Sequence, residues 1–242
     1  MILADLVNEV RSSGKLPPIE DIRAGLFYTA VKLEDGRAGV AATPRVLVTP
    51  RPRDAKDLRD LGTEKVLELA LSPDPLLSAI GVATLNAFLS GSAEAIEGDL
   101  LDHLGVREDD RVGMVGYFAP FAEKLKGHVR ELYIFERSER VEHVYPDWAE
   151  PLLLPGCDVV IISGTTFVNK TIDFVLEHTT NARKVAIAGP TTPLSVSLLG
   201  KIDILSGIRV TDPDRLLVLV SQGGGTKAIM SVARKVNLLK ER

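Results

Sequence analysis

The sequence predicts an α/β fold, with a Rossmann-like parallel sheet in the C-terminal part and a smaller N-terminal α+β unit. From Arg111 onward, short and almost entirely apolar strand patterns alternate with helical segments. Strands of this composition are typical of a parallel sheet that helices cover on both faces. The N-terminal third instead has the pattern of a helix, a hairpin and a second helix. We expect the two units to span residues 1–100 and 101–242.

Local signals place the elements of the N-terminal unit. Apolar residues at helical spacing predict an amphipathic first helix that ends near Gly14. Asp35-Gly36 lies between two runs of β-forming residues and is typical of a hairpin turn. Asp74-Pro75 is an N-cap followed by a proline in the first turn, so a buried, nearly all-apolar helix begins there. The predicted elements are a helix over 2–10, strands over 23–33, 37–43 and 45–49, and a helix over 76–89.

In the C-terminal unit, each apolar run is bounded by glycine or polar residues, which sets the ends of the predicted strands. The predicted strands are 111–116, 129–136, 157–164, 184–189 and 208–210; the predicted helices are 118–126, 169–177 and a closing helix from 226. Ligands of doubly wound sheets bind outside the carboxyl ends of the strands, so those loops are the first place to look for a site.

Small and hydroxyl residues concentrate in four loops, three of them directly after strands and one before the last predicted helix. Glycine lets backbone N–H groups approach a ligand, and threonine hydroxyls can bind phosphate or carboxylate oxygens. We therefore expect a pocket for a small anionic or polar molecule. The alternative is that these turns use glycine and threonine only as turn formers and caps. The candidate ligand-binding residues in the loops are Gly116, Tyr117, Phe118, Gly164, Thr165, Thr166, Asn169, Gly189, Pro190, Thr191, Thr192, Gly223 and Gly224.

Glu136 and Asn86 complete the candidate site. Glu136 ends the second strand 20 residues after Gly116, where an acid of a dinucleotide-binding fold would bond a ribose hydroxyl. The loop at Gly116 lacks the third glycine of that motif, so a partly exposed acid paired with Arg137 or another neighbour fits equally well. Asn86 is the largest polar residue on its apolar helix. It either makes a structural hydrogen bond or faces the ligand.

Composition and motifs exclude several classes of protein. A net charge of −4 over 242 residues disfavours nucleic-acid binding through phosphate contacts. No apolar run reaches the roughly 20 residues that a membrane span needs, and the N-terminus is a poor signal peptide, so a cytoplasmic protein is expected. The order of Gly223 to Lys227 is not that of a phosphate-binding P-loop. No Ser-His-Asp order, zinc-ligand spacing or carboxylate pair is present, so the sequence nominates no catalytic residue.

Five strings resemble a family of unknown function whose members are described as "putative heavy-metal chelation" proteins. They are LPGCDVVIISGTTFVNKT at 154–171, GPTTPL at 189–194, GGGT at 223–226, YPDW at 145–148 and AIGVATLNA at 79–87. The resemblance implies an N-terminal domain like the capping domain of enolases, a Rossmann-like domain, and a site in the cleft between them. It also implies a divalent or heavy metal ion. A single cysteine and scattered histidines favour hard oxygen ligands such as Glu136, or a metal carried by an organic chelator, over thiolate capture.

Three functions remain open from the sequence. The leading hypothesis is binding or processing of a metal, or of a metal-chelating small anionic ligand, in the interdomain cleft. The second is a nucleotide-dependent or S-adenosylmethionine-dependent enzyme that uses the first glycine turn and Glu136. The third is a noncatalytic scaffold subunit, in which the loops are structural. A homodimer is expected from the frequency of symmetric dimers alone.

Overall fold

The computed structural model describes residues 1–44, 57–91, 95–137 and 144–240, so the strand predicted over 45–49 lies outside the described residues. The strands are β1 Ile19–Ala24, β2 Tyr28–Leu33, β3 Ala38–Ala42, β4 Ile96–Glu97, β5 Arg111–Val115, β6 Glu131–Phe135, β7 Val159–Ser163, β8 Lys184–Ala188, β9 Ile204–Val210 and β10 Ala233–Leu239. The α-helices are α1 Ile2–Ser12, α2 Thr63–Glu68, α3 Pro75–Leu89, α4 Leu101–Leu104, α5 Ala119–Leu125, α6 Glu150–Leu153, α7 Thr165–Asn169, α8 Ile172–Glu177, α9 Pro213–Ser221 and α10 Thr226–Ile229. Short 3₁₀ helices cover Leu58–Leu61, Leu69–Leu71, Asp147–Ala149, Leu154–Gly156 and Val196–Gly200.

The N-terminal part is a three-stranded antiparallel sheet in the order β1-β2-β3, with α3 packed against β2 and β3. The hairpin at Asp35-Gly36 joins β2 to β3, as predicted. The single strand predicted over 23–33 is wrong. It is the end of β1 and all of β2, separated by a turn in which the Gly25 amide donates to the Tyr28 carbonyl at 2.9 Å. The N-cap at Asp74 is confirmed, because its side chain accepts from the amides of Leu76 and Leu77.

The C-terminal part is a seven-stranded sheet in the order β4-β10-β9-β8-β7-β5-β6. Strands β6, β5, β7, β8 and β9 are mutually parallel, whereas β10 runs antiparallel to β9, and the short β4 pairs antiparallel with β10 at the edge of the sheet. The five parallel strands have the order 2-1-3-4-5 of a doubly wound sheet, whose chain direction switches between the first and third strands. The predicted α/β class, with a Rossmann-like parallel sheet and a smaller N-terminal α+β part, is therefore confirmed. The switch point lies between β5 and β7.

The closing helix predicted from residue 226 is wrong. Only one turn, α10, forms there, and the chain ends its described part as β10, which pairs with β9 along its whole length. Ala233, Val236, Asn237 and Leu238 of β10 are buried by this pairing and by the core. Helix α9 was not predicted from the sequence, although Asp212-Pro213 repeats the N-cap and proline signal that begins α3.

Helix α3 lies in the middle of the molecule. Eleven consecutive residues of it, from Ser78 to Phe88, are buried, and its side chains belong to a core that also includes α1 and the face of β7 formed by Val160 and Ile162. This explains why the helix has almost no polar side: it packs on β3 and β2, on the 3₁₀ helix Leu69–Leu71 and on α7. Among the residues that the structure describes, no helix combines the length and apolar composition needed to cross a membrane.

Candidate functional site

The loops after β5 and β7 touch at the switch point of the sheet. Gly116 has φ 88°, and its amide donates to the Phe135 carbonyl at 2.8 Å. A Cβ on Gly116 would lie 2.8 Å from the Cβ of Ser163, the last residue of β7, so only glycine fits this crossing. Ser163 was not predicted as a site residue. Its hydroxyl lies 2.9 Å from that of Thr165 and joins it to the cluster.

The loop after β8 completes a three-loop junction. The Gly164 amide donates to the Ala188 carbonyl at 2.8 Å, and a Cβ on Gly164 would lie 2.7 Å from the Thr192 nitrogen. On the other side, a Cβ on Gly189 would lie 3.6 Å from the ring of Phe118. The structure thus brings together the candidate residues after β5, β7 and β8. Pro190 and Thr165 are half-buried here, and Thr166 is buried, with its hydroxyl donating to the Ser163 carbonyl at 2.8 Å.

The N-terminal sheet closes over this junction through Thr191. The Thr191 hydroxyl accepts from the Ala42 amide at 2.9 Å, at the end of β3. The Asn86 side chain donates to the Thr191 carbonyl at 3.0 Å and to the Val40 carbonyl at 2.8 Å. Asn86 therefore connects α3, β3 and the loop after β8. These two hydrogen bonds give Asn86 the structural role considered above, and they hold its side chain beside the candidate site.

Two buried polar atoms at this place have no hydrogen-bond partner among the described residues. They are the side-chain oxygen of Asn86 and the hydroxyl of Thr192. Asn86 is 8% exposed and Thr192 is 3% exposed. A buried polar group without a partner costs about 1–3 kcal/mol, so such groups are uncommon unless something else satisfies them. Thr192 lies in the loop after β8, and Asn86 donates to the Thr191 carbonyl of the same loop.

Glu136 acts within the glycine loop itself. Its carboxylate accepts from the Tyr117 amide at 3.1 Å, which fixes the turn that follows β5. The Tyr117 ring is 40% exposed at the rim of the junction. An amide in this position would face the phosphate of a bound dinucleotide, but here Glu136 is its acceptor. The geometry therefore favours Glu136 as a support of the loop.

Three predicted residues lie apart from the junction. Asn169 is exposed at the far end of α7. Gly223 and Gly224 were predicted in a loop at the same edge as the others, but they end α9 and do not follow a parallel strand. The Gly223 and Gly224 amides donate to the Val220 and Leu219 carbonyls at 3.1 and 2.8 Å, and Gly223 has φ 74°. This is the Schellman arrangement that ends many helices, so the turn-former alternative explains both glycines.

Comparison with known proteins adds a family to this geometry. A family model described as "Putative heavy-metal chelation" matches residues 99–239, which is more than half of the chain, and a second model with the same description matches residues 7–89. The chain belongs to this family. An uncharacterised protein of Methanocaldococcus jannaschii is 28% identical over 235 residues, which cover 90% of this chain and 88% of that protein.

Two crystal structures of the heavy-metal chelation family share the whole fold. A protein of unknown function from Pyrococcus horikoshii is 26% identical, with a TM-score of 0.88 over 99% of this chain and 100% of that chain. A protein of unknown function from Desulfitobacterium hafniense is 25% identical, with a TM-score of 0.83 over 99% of this chain and 97% of that chain. The combination of a small antiparallel sheet and a mostly parallel sheet is therefore common to these relatives.

The donor groups of the described residues do not fit a heavy metal held by the protein alone. Within those residues no three His, Cys, Asp or Glu side chains come together as a metal-binding group. Cys157, the sole cysteine, is buried, and its thiol donates to the Leu153 carbonyl at 3.4 Å. Burial raises the pKa of the Cys157 thiol to about 12, so the thiolate that soft metals require does not form near neutral pH.

Proposed function

We propose that the protein binds a small polar or anionic ligand at the junction of the loops after β5, β7 and β8, and that any metal arrives chelated by that ligand. The site would lie in the cleft between the units 1–100 and 101–242. One observation carries the proposal: the side-chain oxygens of Asn86 and Thr192, which have no partner among the residues that the structure describes, are buried next to the switch point of the parallel sheet. In doubly wound sheets this switch point is where ligands bind.

The chemistry of these atoms constrains the ligand. An amide oxygen is only an acceptor, so Asn86 calls for an N–H or O–H donor on the ligand. The Thr192 hydroxyl can donate to a carboxylate or carbonyl oxygen, and the paired hydroxyls of Ser163 and Thr165 offer one more donor. A ligand that carries both donors and anionic oxygens, such as an organic metal chelator, satisfies all of these groups.

The family description supports the metal, and the described side chains support a chelator that carries it. A heavy metal held by a protein alone needs several side-chain ligands in one place. Such a group does not occur among the described residues, whereas polar groups suited to an organic ligand do. We therefore favour recognition of the chelator, with the metal bound mainly by the organic molecule.

A thermal-shift comparison tests the proposal. Protein stripped of metals is mixed with divalent metals, molybdate, metal-free chelators, metal-loaded chelates including tetrapyrroles, adenine nucleotides or S-adenosylmethionine. A ligand at about 100 times its Kd stabilises the folded state by about 2.7 kcal/mol. For a chain of this size that raises the Tm by about 5–11 °C. We expect a shift with one class of chelate, and loss of that shift in Thr192→Val.

The outcomes separate the alternatives. Equal stabilisation by the metal ion alone would show that the protein supplies the metal ligands and would contradict the chelator proposal. A shift by a chelate that Thr192→Val leaves unchanged would place the ligand elsewhere. No shift with any compound, in a panel that covers each class, would favour the scaffold alternative.

A nucleotide or S-adenosylmethionine remains the second candidate, because Glu136 lies at the end of β6, beside the first glycine turn of the 2-1-3-4-5 sheet. This ligand would have to take over the acceptor that Glu136 now provides to the Tyr117 amide. Saturable binding of an adenosyl compound that weakens in Glu136→Ala, with the exposed Glu108→Ala as the surface control, would support this candidate over the first.

A further inference from the structure

Lys170 anchors the far end of α7 to the N-terminal part of the molecule. Its side-chain amine donates to the Ala70 carbonyl and to the Ser78 hydroxyl. The Ser78 hydroxyl in turn donates to the Val168 carbonyl of α7 at 3.1 Å. Ala70, Ser78 and Val168 are all buried. One amine therefore ties together α7, α3 and the 3₁₀ helix Leu69–Leu71.

The backbone of Lys170 has an unusual conformation that the surrounding structure must hold in place. Among the described residues, Lys170 is the only non-glycine residue with positive φ, at 63°. A left-handed residue of this kind costs free energy, and it persists when the surroundings hold it in place. Here it ends α7 with a backbone bond from the Lys170 amide to the Thr166 carbonyl, and it turns the side chain back toward α3.

Within the described ranges of the chain, the Lys170 amine has no carboxylate partner. The elements that touch it, namely α3, α7 and the 3₁₀ helix Leu69–Leu71, contain no Asp, Glu, His, Arg or second Lys. The charged groups of the elements next to them have other contacts or are exposed. Asp74 caps α3, Asp173 accepts from the Ile2 amide, Glu68 pairs with Arg11, and Glu64 and Lys65 face solvent. Burial, with no opposing charge, lowers the pKa of Lys170 to about 8.

Two acceptors suit a neutral amine as well as a charged one. A neutral lysine amine has two N–H groups, and the Ala70 carbonyl and the Ser78 hydroxyl take one each. Deprotonation therefore removes the buried charge without removing the anchor. A lysine held by a salt bridge would behave in the opposite way, because it would lose its attraction on deprotonation.

We propose that Lys170 is a positioning residue that fixes α7 from its far end and so sets the position of Thr165 and Thr166 at the ligand site. At its other end α7 follows its N-cap residue Gly164, whose amide donates to the Ala188 carbonyl at 2.8 Å and where an added Cβ would lie 2.7 Å from the Thr192 nitrogen, so the short helix is held at both ends. The effect on ligand affinity rests on the proposed function. The effect on the loop in the ligand-free protein does not.

The ligand-free test uses Lys170→Met, which keeps the aliphatic stem and removes the donors, with the exposed Lys201→Met as the matched control. Hydrogen exchange is followed at the Phe167 and Thr171 amides, which bond to the Gly164 and Thr166 carbonyls. We expect exchange at least tenfold faster in Lys170→Met, beyond any change in global unfolding measured by urea. Unchanged local exchange in Lys170→Met would overturn the proposal.

The pH dependence of folding stability tests whether the neutral amine of Lys170 still holds α7 in place. Between a folded pKa of about 8 and an unfolded pKa of about 10.5, the unfolded chain holds more protons than the folded protein. The stability of the wild type relative to Lys170→Met must therefore rise as the pH increases from 8 to 10.5. A relative stability that falls in this window would show that deprotonation weakens the anchor, and would refute the expectation that the neutral amine keeps both hydrogen bonds.

Measurements of chelate affinity distinguish a failure of the Lys170 proposal from a failure of the proposed function. Once the panel has identified a chelate, its Kd is measured for the wild type, Lys170→Met, Ser78→Ala and the double variant. We expect at least tenfold weaker binding in Lys170→Met and a non-additive double variant, because both residues act through one network. Wild-type affinity in Lys170→Met would refute positioning and leave the proposed function intact. If Lys170→Met does not fold, Ser78→Ala removes one acceptor and carries the same exchange and affinity tests.

Discussion

Neighbouring threonines in the loop after β8 should respond in opposite ways to the same substitution. The Thr191 hydroxyl accepts from the Ala42 amide at 2.9 Å, whereas the Thr192 hydroxyl has no partner among the described residues. Both side chains are almost fully buried, at 2% and 3% exposure. Valine has the same branched shape as threonine and removes only the polar function. The two variants therefore compare a hydroxyl that accepts a hydrogen bond with one that has no partner among the described residues.

The expected magnitudes follow from hydrogen-bond energetics. Thr191→Val leaves the part-buried Ala42 amide without its acceptor, which costs about 1–2 kcal/mol and lowers the Tm by about 2–8 °C. Thr192→Val removes a buried hydroxyl that nothing in the described protein satisfies, so the ligand-free stability should stay the same or rise by up to about 1–2 kcal/mol. The two variants should therefore differ clearly although the substitution is identical.

Urea unfolding followed by circular dichroism gives the comparison, because an unchanged m value shows that a shift in midpoint is a change in stability. Destabilisation by Thr192→Val as large as that by Thr191→Val would contradict these expectations. An unchanged urea midpoint in Thr191→Val would contradict them as well. Agreement on stability, combined with weaker chelate binding in Thr192→Val, would identify the Thr192 hydroxyl as a group kept for a ligand.

Three further outcomes are expected. Gly81→Ala should destabilise the protein severely, since the new Cβ would lie 1.8 Å from the Ala70 nitrogen, whereas Gly91→Ala meets only a side-chain carbon at 3.9 Å; soluble yield and Tm of the two variants check this. Cys157 should resist thiol reagents at pH 8 in the folded protein and react only at the rate of unfolding, because burial raises its pKa to about 12; fast labelling in native buffer would contradict the burial. Gly223→Ala should cost about 1 kcal/mol, because Gly223 has φ 74° at the end of α9, and should leave ligand affinity unchanged; a selective loss of affinity would return this turn to the site.

Sequence patterns predicted the elements whose signals are local. Helix α1, the β2–β3 hairpin and the N-cap of α3 each depend on residues within a few positions of one another, and all three are confirmed. The predictions failed where partners are distant in the sequence. The segment that forms β10 carries Arg234 and Lys235 on its exposed positions, and only pairing with β9 decides that it is a strand.

The residues of the candidate site were likewise predicted only in part. The concentration of glycine and threonine after strands β5, β7 and β8 was readable because parallel strands place their carboxyl ends at one edge. The loop at Gly223 has a similar composition, but its glycines satisfy the end of α9. Ser163 and Lys170 gave no separate signal, because a serine at a strand end and a lysine after a helix are ordinary residues until their contacts are known.

The sequence by itself determined the α/β class, the alternation of apolar strands and helices, the buried character of α3 and membership of the family. Each of these depends on composition and short-range periodicity, which survive without knowledge of contacts. Tertiary structure alone decided that Asn86 bonds to a carbonyl 105 residues away and that a lysine amine joins two parts of the chain. It also decided that the Thr191 hydroxyl has a partner, whereas the Thr192 hydroxyl has none within the described part of the chain. The physical reason is that hydrogen-bond satisfaction and desolvation are properties of a packed surrounding, and residues far apart in the sequence supply that surrounding.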